Sequence, residues 1–287
     1  MKIYFQKVHS NLLSIDALAL MSIFSMLFMS SCGEVNIGIA DRVTISSPIS
    51  VVSGEIELDE HFTAINLSFP VTVHIVENQG NTLSYSMDSW LFDILNVSIQ
   101  NGVLYINTNN VPVLFTGINA FDYNMYIYVS AGNLKNTLEA VNLSGISTLY
   151  LGNISPKRFI VNASGSSDLV GTVITNYISL HLSGSSDVAL TLHSGEANIT
   201  LSGSSDAFIV GSSDSLALTA SGSSNAYLLD FIVQSADITA SGSSDVSVHV
   251  TGSLDITASG FSDVIYAGNP SIGRREETGS SDIRSIN

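Results

Sequence analysis

The sequence predicts an all-β fold: a parallel β-helix or β-solenoid with about 19-residue repeats, preceded by an N-terminal β region. Three observations predict it. Ser-Gly-Ser-Ser-Asp recurs at residues 164–168, 183–187, 202–206 and 241–245, with variants at 221–225, 259–263 and 278–282 and a worn copy beginning at Ser144. The turn glycines Gly145, Gly165, Gly184, Gly203, Gly222, Gly242, Gly260 and Gly279 are 20, 19, 19, 19, 20, 18 and 19 residues apart. Apolar residues alternate with polar ones on both sides of each turn, the period of a half-buried strand. A unit this short cannot bury its apolar face alone, so it must stack on its neighbours.

The elements follow from the N-terminus. Lys2 and Lys7 precede an apolar run at residues 17–29, too short for a comfortable membrane span but suited to the core of a signal peptide. The small residues before the lone cysteine resemble the lipobox of bacterial lipoproteins. Residues 1–31 then read as a lipoprotein-type signal peptide and Cys32 as the lipidated residue, with a plain secretory signal as the alternative. Two acyl chains would give stable anchoring. Residues 32–53 show no core pattern and read as a tether.

Residues 54–140 read as a β region without a repeat. Val97-Ser98-Ile99 and Val103-Leu104-Tyr105-Ile106 flank Asn101-Gly102, a strong hairpin signal. Val71-Thr72-Val73-His74-Ile75 and Met125-Tyr126-Ile127-Tyr128-Val129 alternate as strands, and residues 89–95 form a short helical turn.

Residues 141–287 read as the solenoid and its cap. Four residues before successive glycines stand Val161, Leu180, Ile199, Leu218, Ile238 and Ile256; after the turns come Leu169, Val188, Ala207, Ala226, Val246 and Val264. Each repeat is therefore strand, Ser-Gly turn, strand and a variable return. The glycine supplies a positive φ, and the serines are expected to stack as hydroxyl ladders. In the last copy Arg275 and Glu277 replace apolar residues, so 274–277 reads as a polar cap against edge-to-edge growth.

These motifs resemble the head GIN domain family of auto-transporter adhesins. The resemblance rests on Phe62-Thr63-Ala64-Ile65, on the strand from Val71 to Ile75, on Asn101 to Ile106, on Leu143-Ser144-Gly145 and on the Ser-Gly-Ser-Ser-Asp ladder. It covers roughly residues 54–285. It implies a β-helix-like envelope lipoprotein with an adhesive role, and it supplies no catalytic set.

Composition excludes other classes. Acidic residues outnumber basic ones 25 to 9, for a net charge of −16. Nucleic-acid binding needs clustered cations, so no nucleic-acid partner is expected. One cysteine allows no intrachain disulfide. The histidines show no metal-ligand spacing. The column Asp168, Asp187, Asp206, Asp245, Asp263, with Asn225 in the gap, has two readings. One is a ladder for a divalent cation such as Ca²⁺ or another ligand. The other is a side chain hydrogen-bonded to its own turn, a role Asn can also fill; Asn225 favours this second reading, and no cofactor is expected.

No Lys or Arg lies between Arg158 and Arg274, which argues against a lyase acting on acidic sugars. A glycosidase needs two carboxyl groups in different settings, whereas the Asp column repeats one setting. Trp90, Phe92, Phe115, Phe121, Tyr123, Tyr126 and Tyr128 form either a sugar-stacking patch or core and cap packing. The chain is thus expected to be a non-enzymatic, lipid-anchored adhesin or interaction module at the outer membrane or cell surface. It would bind a glycan or protein ligand through a polar solenoid face and is open to oligomerisation. A periplasm-facing structural or stress-sensing lipoprotein is the alternative, and a carbohydrate-active enzyme the third reading.

Overall fold

The computed structural model describes residues 50–77, 80–108, 125–130, 132 and 134–286. The signal peptide, Cys32 and Phe115, Phe121 and Tyr123 lie outside these residues, as does most of the span read as tether. That span's last residues are strand, since β1 begins at Val51.

The repeats form the predicted solenoid. Strands β8 (Ala140–Leu143), β9 (Ser147–Ile154) and β10 (Arg158–Ala163) lead into the long strands β11 (Asp168–Leu182), β12 (Asp187–Leu201), β13 (Asp206–Ala220), β14 (Asn225–Ala240) and β15 (Asp245–Gly260). All of these pair in parallel, and β11 to β13 keep one register, with Asp187 on Asp206 and Leu201 on Ala220, while β9–β11, β13–β14 and β14–β15 each contain a register shift. The variable return is itself strand: its length is constant from β11 to β13 and changes between β13, β14 and β15, where the register shifts. Each long strand passes through one corner, at Asn176, Gly195 and Asp214 in successive rungs, where a residue drops out of the ladder. Each rung therefore has two sheet segments, one after the Ser-Gly turn and one before the next.

Inward side chains alternate along both segments. In β12, Val188, Leu190, Leu192, Ala197, Ile199 and Leu201 are buried. A fully buried aliphatic side chain of this size contributes about 1.5–3 kcal/mol. Volumes compensate between rungs: Gly211, at φ 122°, lies in register with fully buried Phe231. The turn glycines face two constraints. Gly203 has φ 76°, and a Cβ there would lie 2.5 Å from the carbonyl oxygen of Gly184. Only glycine meets both.

Serine does not act as the sequence reading expected. The last serine of every turn before the final one is buried and closes its own turn, as Ser205 Oγ does by donating to the Ser202 carbonyl at 2.9 Å. The first serine donates down the stack, Ser202 Oγ to the Leu182 carbonyl at 3.2 Å. These turn hydroxyls bond to backbone rather than to one another, which satisfies carbonyls that a tight turn leaves unpaired.

The N-terminal half extends the stack and then caps it. Strands β2 (Ala64–Leu67) and β3 (Val71–Val76) pair in parallel with β8 and β9. On their other side lie β6 (Val103–Thr108) and β7 (Met125–Ser130), also parallel. These are two further rungs with no Ser-Gly turn, stacked out of chain order. The antiparallel strands β4 (Thr82–Asp88) on β7 and β5 (Leu95–Gln100) on β6 end the parallel stack, and β1 (Val51–Glu57) covers β4. The predicted hairpin between β5 and β6 turns at Asn101 and Gly102, with φ 53° and 75°, the positive pair that a type I′ turn requires. Helix α1 (Ser89–Ile94) connects β4 to β5 across the end of the core and buries Leu91, with Trp90 and Phe92 packed against the core.

The opposite end carries the predicted polar cap. β17 (Ser271–Gly279) follows β16 (Asp263–Ala267) and is exposed throughout. Arg275 lies in register with buried Ile256, and its guanidinium donates to the Ile283 carbonyl in β18 (Asp282–Ser285). That bond ties the two sheet segments together across the end of the core. Arg274 pairs with Asp237 at 2.7 Å.

Candidate functional site

Parallel in-register stacking converts each outward sequence position into a column of side chains about 4.8 Å apart. Three such columns are the candidate site. The first is the acidic column. Asp168, Asp187, Asp206, Asn225, Asp245 and Asp263 stack directly, as read from the sequence, and Asp282 continues the series. Their bonding differs from the sequence reading, which placed each in its own turn. The bonds run between rungs: the Asp206 N–H donates to Asp187 Oδ1 at 3.1 Å, and Asn225 Nδ2 to Asp206 Oδ1 at 2.9 Å. The Asp245 N–H in turn donates to Asn225 Oδ1 at 3.3 Å. Asn225 thus supplies a donor where a carboxylate would repel Asp206.

Partial burial raises the Asp187 carboxyl above its ordinary pKa. The charges of Asp206 and Asp168 add to the rise, while the Asp206 amide opposes it. Among the described residues, no group of three or more His, Cys, Asp and Glu side chains is arranged to hold a metal ion.

The second column lies two residues further along the same face and is aromatic. Tyr128, His74, Tyr150, Val170, Ala189, Phe208, Tyr227 and Ser247 follow one another in register. His74 stacks on Tyr150 at 4.6 Å and 5°, and on Tyr128 at 5.1 Å and 22°. Phe208 stacks on Tyr227 at 4.6 Å and 10°. Burial lowers the His74 pKa, which favours the neutral imidazole between the two phenol rings. Val210, Leu229 and Ile232 are exposed beside the upper pair.

The third column lies on the other sheet segment: Asn66, Asn142, Asn162, His181, Thr200, Thr219, Thr239 and Thr257. Asn162 Nδ2 donates to Asn142 Oδ1 at 2.9 Å, the amide ladder expected of stacked Asn. A shallow groove of about 550 Å³ runs along its first five members beside the turn serines. His181 is outward, as expected, and contacts Ser179 Oγ at 3.0 Å.

Of the aromatics singled out in the sequence, Trp90 and Phe92 pack against the core, and Tyr126 and Tyr128 lie outward on β7. Phe208, Tyr227 and Tyr150 were missed. The signal was present: the second residue after each turn Asp or Asn reads Val170, Ala189, Phe208, Tyr227, Ser247 and Ile265, an outward position between the two apolar ones.

The fold and these columns define a class: a capped, parallel β-solenoid whose outer faces display stacked side chains. Residues 61–270 match the family described as "Putative auto-transporter adhesin, head GIN domain", and the chain belongs to that family. It is similar in fold to a "Putative lipid binding protein" from Parabacteroides distasonis, with a TM-score of 0.71 at 20% identity over 83% of this chain and 97% of that one. A "putative adhesin" from the same species follows, with a TM-score of 0.69 at 17% identity over 83% and 97%. A "putative adhesin" from Parabacteroides merdae has a TM-score of 0.67 at 16% identity over 83% and 96%. No curated protein matches the chain. The family is adhesin-like, which suggests a cell-surface or envelope protein. Among the described residues no helix is long and apolar enough to cross a membrane.

Proposed function

We propose that this chain is a non-enzymatic display module of the cell envelope, an adhesin held to the membrane by acyl chains on Cys32. Residues 1–31 are removed as the signal peptide, and a segment beginning at residue 32 tethers the solenoid. The rod presents its outer columns to a polymeric ligand, where contacts that are weak singly sum through repetition.

The observation that carries this reading is the register of the outward columns, held rung after rung on both sheet segments. A ligand with its own repeat can meet such a surface at several rungs together. The family's adhesin description supports the same reading. Non-enzymatic display is favoured by the placement of the acids, which stack one rung apart in a single column rather than facing each other across a substrate.

Protease shaving of intact cells tests the outward placement. Cleavage of the solenoid while a periplasmic control survives supports it. Survival until the outer membrane is breached overturns it and favours a periplasm-facing role. Loss of labelling by a palmitate analogue in Cys32→Ser tests the anchor.

A further inference from the structure

The aromatic column is interrupted, and the interruption has a shape. Tyr150 and Phe208 are three rungs apart, with Val170 and Ala189 between them in strict register. At one rung per 4.8 Å the ring planes are about 14 Å apart. Each ring is backed by a stacked partner, Tyr150 by His74 and Phe208 by Tyr227, with nearly parallel ring planes in both pairs. Their other faces turn toward the gap, over small floor residues. The rings are correspondingly open, Tyr150 at 39% and Phe208 at 47% exposure.

The gap has polar flanks. Asp168 and Asp187 lie two residues before the floor positions on the same face, and Thr172 and Thr191 two residues after them. The flanks therefore offer carboxylate acceptors on one side and hydroxyls on the other, each about 7 Å from the floor column.

We infer that this aromatic-walled cleft binds a neutral or amino-bearing oligosaccharide, one sugar ring on the face of Tyr150 and another on the face of Phe208. The inference rests on the adhesin reading and names its ligand class. Sugar rings present axial C–H groups that seat on an aromatic face, while their hydroxyls donate to carboxylates at the edge. Charge chooses among sugars. Asp168 and Asp187 flank the cleft, and no Lys or Arg occurs between Arg158 and Arg274, so uronates and sulfated sugars are repelled. Aromatic walls backed by rigid stacks are also pre-organised, which limits the ordering cost of binding.

The test uses the full chain in mild detergent against tri- to hexasaccharides of glucose, mannose, galactose, glucosamine and N-acetylglucosamine, with uronate oligomers alongside. At least one neutral or amino series should bind, and Phe208→Ala and Tyr150→Ala should each weaken it tenfold or more. Phe261→Ala, at an exposed turn ring away from the cleft, should change it less than threefold. Both walls are surface residues, and unchanged circular dichroism confirms that the variants fold. The inference is overturned if none of the neutral or amino oligosaccharides binds, if uronates bind better, or if both wall variants bind as the wild type does. Cell adhesion is scored separately. Cells carrying Phe208→Ala that adhere normally, when the purified variant has lost the sugar, would retain the adhesin role and leave the cleft's specificity established.

Discussion

Replacing Gly203 by alanine should expose how the turn stack is held. Gly203 has φ 76°, a left-handed conformation that costs an L-residue about 1–2 kcal/mol. A Cβ there would also stand 2.5 Å from the Gly184 carbonyl oxygen and 3.0 Å from the Gly184 nitrogen. The turn must lift by roughly 1 Å to restore ordinary contact. Lifting it stretches the bond from the Ser204 N–H to that same carbonyl, now 2.7 Å, a loss of about 1 kcal/mol. The expected cost is about 2–4 kcal/mol. Gly145 is the matched control: its φ is 76°, but its nearest neighbour is the Phe69 nitrogen at 3.9 Å, because the rung below turns without glycine. Gly145→Ala should cost only the conformational part, about 1–2 kcal/mol. Guanidinium unfolding followed by far-UV circular dichroism reads both. Equal costs at the two sites would refute glycine-on-glycine stacking as the reason these positions exclude a side chain.

Other perturbations follow from the same geometry. Phe231→Ala removes a fully buried ring above Gly211 and should destabilise by about 3–5 kcal/mol in the same assay. Asp187→Asn keeps the acceptor for the Asp206 amide and removes a charge that partial burial and two like neighbours disfavour. Neighbouring charges one rung apart repel by about 1 kcal/mol in water, so a gain of up to that size is expected at pH 7. Because the folded carboxyl has the higher pKa, this gain should shrink as pH falls through the carboxylate range, and at high salt. For His74 the folded pKa is the lower one, so protonation costs stability as pH falls below about 6.5. Thermal melts should show wild type losing stability relative to His74→Phe between pH 7 and pH 5; parallel pH profiles would contradict it.

The repeat half of the fold was legible because one residue type marks every rung. Glycine at the turn sets the count, and alternation on either side sets the faces. The N-terminal rungs were not legible as rungs for two reasons. Ser68-Phe69 stands where the repeat has Ser-Gly, and β6 and β7 stack outside β2 and β3 although they come later in the chain. Sequence spacing carries no trace of that order. Strand identity survived, since alternation and the Asn-Gly turn are local. At the candidate site, the acidic column was read by its spacing, but its bonding was not. Own-turn and next-rung partners are equally near in sequence logic, and only the stack shows that buried serine already fills the own-turn role. Apart from Tyr128, the aromatic column was missed because it occupies an outward position, where composition varies freely from rung to rung.

Display of an adhesive surface can be measured on whole cells. Cells expressing the chain, cells lacking it and cells carrying Cys32→Ser are allowed to settle on surfaces coated with neutral or amino-sugar polysaccharide, then washed under flow. Display predicts retention that depends on the chain, falls with Cys32→Ser and is competed by the purified chain in solution. Equal retention of cells with and without the chain on every coating would contradict it.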